Sequence, residues 1–141
     1  MNTTLLRLLA LLFVPGWLFL SGCPVEPGLY LPQSTTKYTL ENTEKFVPLD
    51  KPTQVSVTCT GLQERELPDG RIEVVANVKN RENRRIQVQL NCVFKDAQGF
   101  STGDETPFQN LILGENATEM VRFTAMNTLA KRYTIRVREA R

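Results

Sequence analysis

The stretch Ile72-Glu73-Val74-Val75-Ala76-Asn77-Val78-Lys79-Asn80 decides the fold, because apolar and polar side chains alternate along it. Successive side chains of a strand point to opposite faces, so this period of two predicts a strand with one face in a core. Residues 86–95 repeat the pattern, and their apolar positions are Ile86, Val88, Leu90, Cys92 and Phe94. The two stretches therefore predict two core strands.

Shorter alternating segments flank this pair on both sides. Inward positions are predicted for Val55, Val57 and Cys59, for Val121 and Phe123, and for Tyr133, Ile135 and Val137, with a short further segment at 63–66. No segment shows a convincing helical period. The pattern predicts an all-β domain over residues 54–141, a single immunoglobulin- or fibronectin-like antiparallel β-sandwich of about seven strands.

Turn residues separate these strands at short intervals. Asp69-Gly70 predicts a two-residue hairpin turn of type I′, in which both central residues have positive φ. Residues 96–99 predict a second turn with Gly99 in the left-handed conformation, and residues 114–116 predict a third.

The first 22 residues are typical of a targeting segment. Arg7 precedes an apolar run from 8 to 20 that is too short to span a bilayer comfortably and is broken by Pro15 and Gly16. We therefore expect residues 1–22 to be a signal peptide that is removed. Residues 23–53 are polar and interrupted by five prolines, which predicts a flexible tether.

The apolar run ends in Leu20-Ser21-Gly22-Cys23, which resembles the lipobox of bacterial lipoproteins. The resemblance implies that Leu20, Ser21 and Gly22 form the peptidase recognition site and that Cys23 receives the lipid. Several acyl chains on one residue anchor a protein firmly. Pro24 follows the cysteine, and the sorting rule of such lipoproteins then implies the outer membrane, with the domain facing the periplasm. The alternatives are a secreted protein or an uncleaved anchor.

Composition excludes several classes of chemistry. The chain contains no histidine, so neither Ser-His-Asp nor Cys-His catalysis is available, nor is a histidine-containing zinc site. Its 17 basic and 15 acidic residues do not favour a nucleic-acid partner. We expect no enzyme, no metal, no cofactor and no small-molecule substrate.

Cys59 and Cys92 are candidates for a disulfide, because both occupy inward strand positions and the periplasm permits oxidation. A bridge would stabilise the domain by about 4 kcal/mol in the chain-entropy model. The alternative is a pair of buried free thiols acting as small apolar residues.

Two groups of arginines form a candidate interaction surface. The first lies between the two core strands and the second on the last strand, and they comprise Arg81, Arg84 and Arg85, and Arg136 and Arg138. On a shared face they would suit an anionic partner. The alternative is solvated charge that discourages edge pairing of strands.

The core stretches 72–80 and 88–99 resemble the YcfL-like family of small envelope lipoproteins. In that family a strand ending in Asn opens a short loop, and the following strand ends in an aromatic residue, Asp and Gly. Later apolar, Phe-containing and Val/Arg-rich strands agree as well, so the resemblance covers roughly residues 54–138. The family commonly has an aromatic-x-aromatic pattern where this chain has Val93-Phe94-Lys95. The resemblance implies the fold and no catalytic residues.

These observations lead to a functional hypothesis. We expect a lipid-anchored, non-catalytic accessory or interaction module that contacts another envelope protein. The alternative is a small lipoprotein subunit of a secretion or motility machine.

The lipidation hypothesis predicts the behaviour of Cys23→Ser. A serine hydroxyl does not replace the thiol that accepts the diacylglyceryl group, so the variant should lose acyl labelling and remain unprocessed by the lipoprotein peptidase. Incorporation of labelled palmitate in cells measures this, and a variant that is still labelled would contradict the assignment.

Overall fold

The computed structural model describes residues 44–140, and within that range the chain forms eight strands and one short helix. No helix in this range has the length and apolarity needed to cross a membrane. In chain order the elements are β1 (Phe46–Pro48), α1 (Lys51–Ser56), β2 (Val57–Glu66), β3 (Ile72–Asn80), β4 (Ile86–Lys95), β5 (Ser101–Glu105), β6 (Gln109–Leu113), β7 (Thr118–Thr124) and β8 (Arg132–Glu139).

The strands form two sheets. Sheet A has the order β1-β8-β4-β5, and β6 also pairs with β4, whereas sheet B has the order β2-β3-β7. Every strand pair is antiparallel except β1 with β8, which is parallel. The structure confirms the predicted all-β sandwich, with one strand more than expected.

The core lies between the sheets and consists of the side chains that the alternation predicted. Val74, Ala76 and Val78 of β3 and Leu90, Cys92 and Phe94 of β4 are fully or almost fully buried in one cluster. Ile135 and Val137 of β8 join them. The two core strands belong to different sheets, so the chain between them crosses from one layer to the other.

The folded domain begins earlier than residue 54. Val47 is buried, and the backbone of the β1 segment bonds to β8 through Ile135 N–H to Lys45 O (2.9 Å) and Leu49 N–H to Val137 O (2.8 Å). A three-residue strand that ends in proline has no alternation long enough to detect, so the sequence pattern predicts residues 46–48 as part of the tether.

Helix α1 corrects the prediction that Val55 faces inward. Asp50 caps the helix by accepting a hydrogen bond from Thr53 N–H at 2.9 Å, and Pro52 lies in its first turn. Val55 is consequently on a helix and 67% exposed, and the strand begins only at Val57.

The first hairpin turn is of a different type from the one predicted. Gly70 has φ of 82°, but Asp69 does not have positive φ, because Pro68 sets up a type I turn closed by Gly70 N–H to Leu67 O at 2.9 Å. The other two turns are confirmed: Gly99 has φ of 94°, and Asn116 has φ of 50°.

Asn80 closes one end of the sandwich and is completely buried at the end of β3. Its Nδ2 donates to Arg84 O (2.6 Å) and Gly114 O (2.8 Å), and its Oδ1 accepts from Glu82 N–H (2.8 Å). The Asn80 amide thereby makes the hydrogen bonds that a buried polar side chain requires. Its partners are backbone groups of two separate loops.

Cys59 and Cys92 are both free thiols, so the candidate disulfide is absent from the structure. Cys59 lies at a bulge of β2 in sheet B, where its thiol donates to Gly61 O at 3.3 Å, whereas Cys92 lies in the centre of sheet A. Burial raises the pKa of both thiols, and the nearby Asp104 raises that of Cys92 further.

Replacement of Asn80 by alanine should lower the free energy of unfolding by about 2–4 kcal/mol, because buried backbone groups of two loops lose their partner. Denaturant unfolding measures the change. Asn77→Ala is the matched control on the same strand, since the Asn77 side chain is exposed, and it should cost less than about 1 kcal/mol. Equal losses would contradict the role of Asn80.

Thiol counting tests whether the cysteines are free. In the native protein Cys92 should resist a thiol reagent because it is buried, and Cys59 should react slowly. After denaturation without reductant, mass spectrometry should find both modified. If neither reacts until a reductant is added, Cys59 and Cys92 are bridged by a disulfide.

Candidate functional site

One end of the sandwich, which we call the α1 end, is formed by α1, residues 81–85 and residues 114–117. Arg81 N–H donates to Ser56 O (2.8 Å), Asn80 N–H to Ala117 O (2.9 Å) and Asn116 N–H to Glu82 O (3.1 Å). Together with the buried Asn80 side chain, these bonds fix the backbone of residues 81–85. The loop is therefore preorganised rather than a loose connection.

A cavity of about 220 Å³ opens at the α1 end, between the helix, the loop and the last residues of β8. Its walls are mainly polar and are formed by Pro52, Thr53, Ser56, Val57, Glu82, Arg84, Arg85, Ile86, Gln87, Val88 and Glu139. A cavity of this size holds a few side chains or a small polar group.

Glu82 is the central charged group of this cavity. Its carboxylate accepts hydrogen bonds from Ser56 Oγ and from Arg84 Nε. These bonds, that from Arg84 first, lower the pKa of Glu82, so the carboxylate stays ionised. A carboxylate with a lowered pKa is a poor general base, so the Ser56–Glu82 contact does not activate a nucleophile.

The three loop arginines of the predicted basic surface lie at the α1 end and are exposed. Arg84 and Arg85 line the cavity, and Arg84 forms an ion pair with Glu82. Arg81 and Arg85 form no ion pair within residues 44–140. The loop therefore presents two unneutralised guanidinium groups on a fixed backbone.

Arg136 and Arg138 form a second, separate group on the outer face of sheet A. Arg138 pairs across the sheet with Gln89, and Arg85 precedes Gln89 by four residues, which span about 13 Å of extended chain. The predicted surface is therefore divided into two.

The second group is organised around Phe108, which lies in the connection between β5 and β6. The Arg138 guanidinium carbon is 3.7 Å from the centroid of the Phe108 ring, and that of Arg136 is 5.7 Å away. Arg136 also donates to Asn91 Oδ1 at 3.0 Å and pairs with Glu105. Arg136 and Arg138 therefore stabilise sheet A, and their charges are not available to a binding partner.

The described residues do not include the predicted lipidation and peptidase-recognition site, which comprises Leu20, Ser21, Gly22 and Cys23. Within residues 44–140, no group of three or more His, Cys, Asp or Glu side chains could hold a metal ion. The sequence analysis missed Ser56 and Glu82, which are far apart in the chain and share no motif.

The comparisons with known proteins concern the fold. The model of the family "Protein of unknown function (DUF1425)" matches residues 47–139. The crystal structure of cj0090 from Campylobacter jejuni is similar with a TM-score of 0.55 at 17% identity, covering 68% of this chain and 98% of that one. A DUF1425 member from Shewanella sp. pv-4 is similar with a TM-score of 0.55 at 20% identity, covering 60% and 79%.

At these identities the structural likeness establishes the fold alone. No curated protein matches the chain. The family model spans more than half of the sequence and includes every strand from β2 to β8. The chain therefore belongs to the DUF1425 family of proteins of unknown function.

Proposed function

We propose that this protein is a YcfL-like lipoprotein, anchored by Cys23 in the outer membrane and facing the periplasm, whose domain binds another envelope protein without catalysing a reaction. The anchor is supported by the sequence Leu20-Ser21-Gly22-Cys23 after a short apolar run. The binding role is supported by the α1 end.

The observation that carries the binding role is the rigid presentation of Arg81 and Arg85. Arginine is enriched at protein interfaces, and a backbone fixed before binding loses little entropy on association. The cavity beside these residues gives a partner side chain a place to insert, next to exposed Val55. A segment with acidic and apolar side chains would complement this surface.

A non-catalytic role is supported by the chemistry of the same cavity. The chain has no histidine, and Glu82 is held ionised by Arg84 and Ser56. The other acidic residue of the cavity wall is Glu139, whose backbone N–H donates to Asp50 at 2.7 Å. Nothing in this arrangement activates a nucleophile or supplies a general acid.

Charge reversal at the loop tests the proposal. In cells that carry a photo-crosslinking residue at Val55, the double variant Arg81→Glu/Arg85→Glu should reduce the yield of the partner cross-link by about tenfold, because attraction to an anionic segment becomes repulsion. Mass spectrometry identifies the captured protein. Arg84 is left intact because its ion pair supports the loop.

Arg122→Glu is the control for a general effect of charge reversal, since Arg122 is exposed in the middle of β7, away from the α1 end. It should leave the cross-link unchanged. A double variant that captures the same partner at the original yield would show that the loop is not the binding surface.

A further inference from the structure

The end of the sandwich opposite α1, which we call the hairpin end, consists of residues 67–71, 96–100 and 125–131. These loops are fixed to each other and to the sheets. Lys131 N–H donates to Lys95 O (2.8 Å), Arg71 Nη1 to Ala125 O (3.3 Å) and Met126 N–H to the buried Asp104 carboxylate (2.5 Å). The conformation of residues 125–131 is therefore set by the fold.

Three large apolar side chains project into solvent from this end. Phe100 is 73% exposed, Met126 83% and Leu129 65%. A single exposed apolar residue is ordinary on a protein surface. Three on neighbouring loops of fixed conformation indicate a surface that contacts another molecule or a membrane when the protein functions. All three lie on loops rather than on strands.

Basic residues flank these apolar side chains. Lys131 and Arg132 are exposed next to Leu129 in sequence. Two nearby acidic side chains have local partners: Asp69 pairs with Arg71 at 2.7 Å, and Asp96 accepts hydrogen bonds from the N–H groups of Gln98 and Phe100. Glu44 and Glu66 are exposed at the same end. Lys131 and Arg132 form no ion pair among the residues that the structure describes, so both can contact an anionic ligand.

The chain also enters the domain at the hairpin end. Thr134 Oγ donates to Glu44 O at 3.2 Å and Ile135 N–H to Lys45 O at 2.9 Å, both near the start of β8. From there β1 runs toward the α1 end, parallel to β8. Residues that precede Glu44 are thus joined to the domain beside the exposed apolar side chains.

From these observations we infer that the hairpin end seats directly on the surface of an anionic phospholipid bilayer. Phe100, Met126 and Leu129 enter the boundary between headgroups and acyl chains, and Lys131 and Arg132 contact phosphate groups. Apolar tips with basic flanks are the chemistry that such a boundary selects. The inference rests on the proposed lipid anchor, which would hold this end near the membrane and leave the α1 end directed away from it.

Tryptophan reporters test the inference in the complete mature lipoprotein. The single tryptophan of the chain, Trp17, lies within the segment that cleavage removes, so the mature protein has no tryptophan fluorescence of its own. Leu129→Trp and Phe100→Trp place reporters at the hairpin end, and Val55→Trp is the matched control, because it is equally exposed at the α1 end. Each variant is reconstituted in phosphatidylcholine vesicles containing one third phosphatidylglycerol.

Brominated lipids should quench both hairpin-end reporters about twofold, whereas Val55→Trp should be unaffected. Protein that floats with the vesicles but shows no quenching at residues 100 and 129 overturns the inference and leaves the anchor intact. Equal quenching at all three positions overturns the orientation. Protein that does not float overturns the anchor and the inference together, while the cross-linking result at the α1 end remains a separate test of partner binding.

Discussion

The rest of this structure depends on the requirement that a buried amide make all of its hydrogen bonds. Asn80 is completely buried where β3 leaves sheet B, and it bonds backbone groups of residues 81–85 and of the turn at 114. An unsatisfied group here would cost much of the stability of a small domain. These bonds stabilise the observed crossing between the sheets, and the position of the loop arginines follows from that crossing.

The alternation of the two core strands was sufficient to predict the sandwich and most of its core, because a strand with one buried face has a strict period of two. The pattern correctly predicted which side chains of β3 and β4 are buried, namely Val74, Ala76 and Val78, and Leu90, Cys92 and Phe94. The pattern does not reveal which strands pair. It could not show that β3 and β4 lie in different sheets, and it left the partners of the cysteines and of the two arginine groups undetermined.

The predictions that differ from the structure share a cause, since short-range hydrogen bonding overrides periodicity over a few residues. Asp50 caps a helix that removes Val55 from its predicted strand, and Pro68 changes the type of a turn. The outer face of sheet A is a different case. Asn91 lies on the face of β4 opposite the apolar positions, yet it is completely buried, because it forms hydrogen bonds with Glu105, Thr106 and Arg136, which are remote in sequence.

The parallel pairing of β1 with β8 has a mechanical consequence. Tension on the segment before Glu44 acts along β1, so the bonds from Ile135 N–H to Lys45 O and from Leu49 N–H to Val137 O resist it in shear and share the load. A pull at right angles to β1 would instead break these bonds one at a time. The direction of this three-residue strand thus makes the domain resistant to pulling through its N-terminal side.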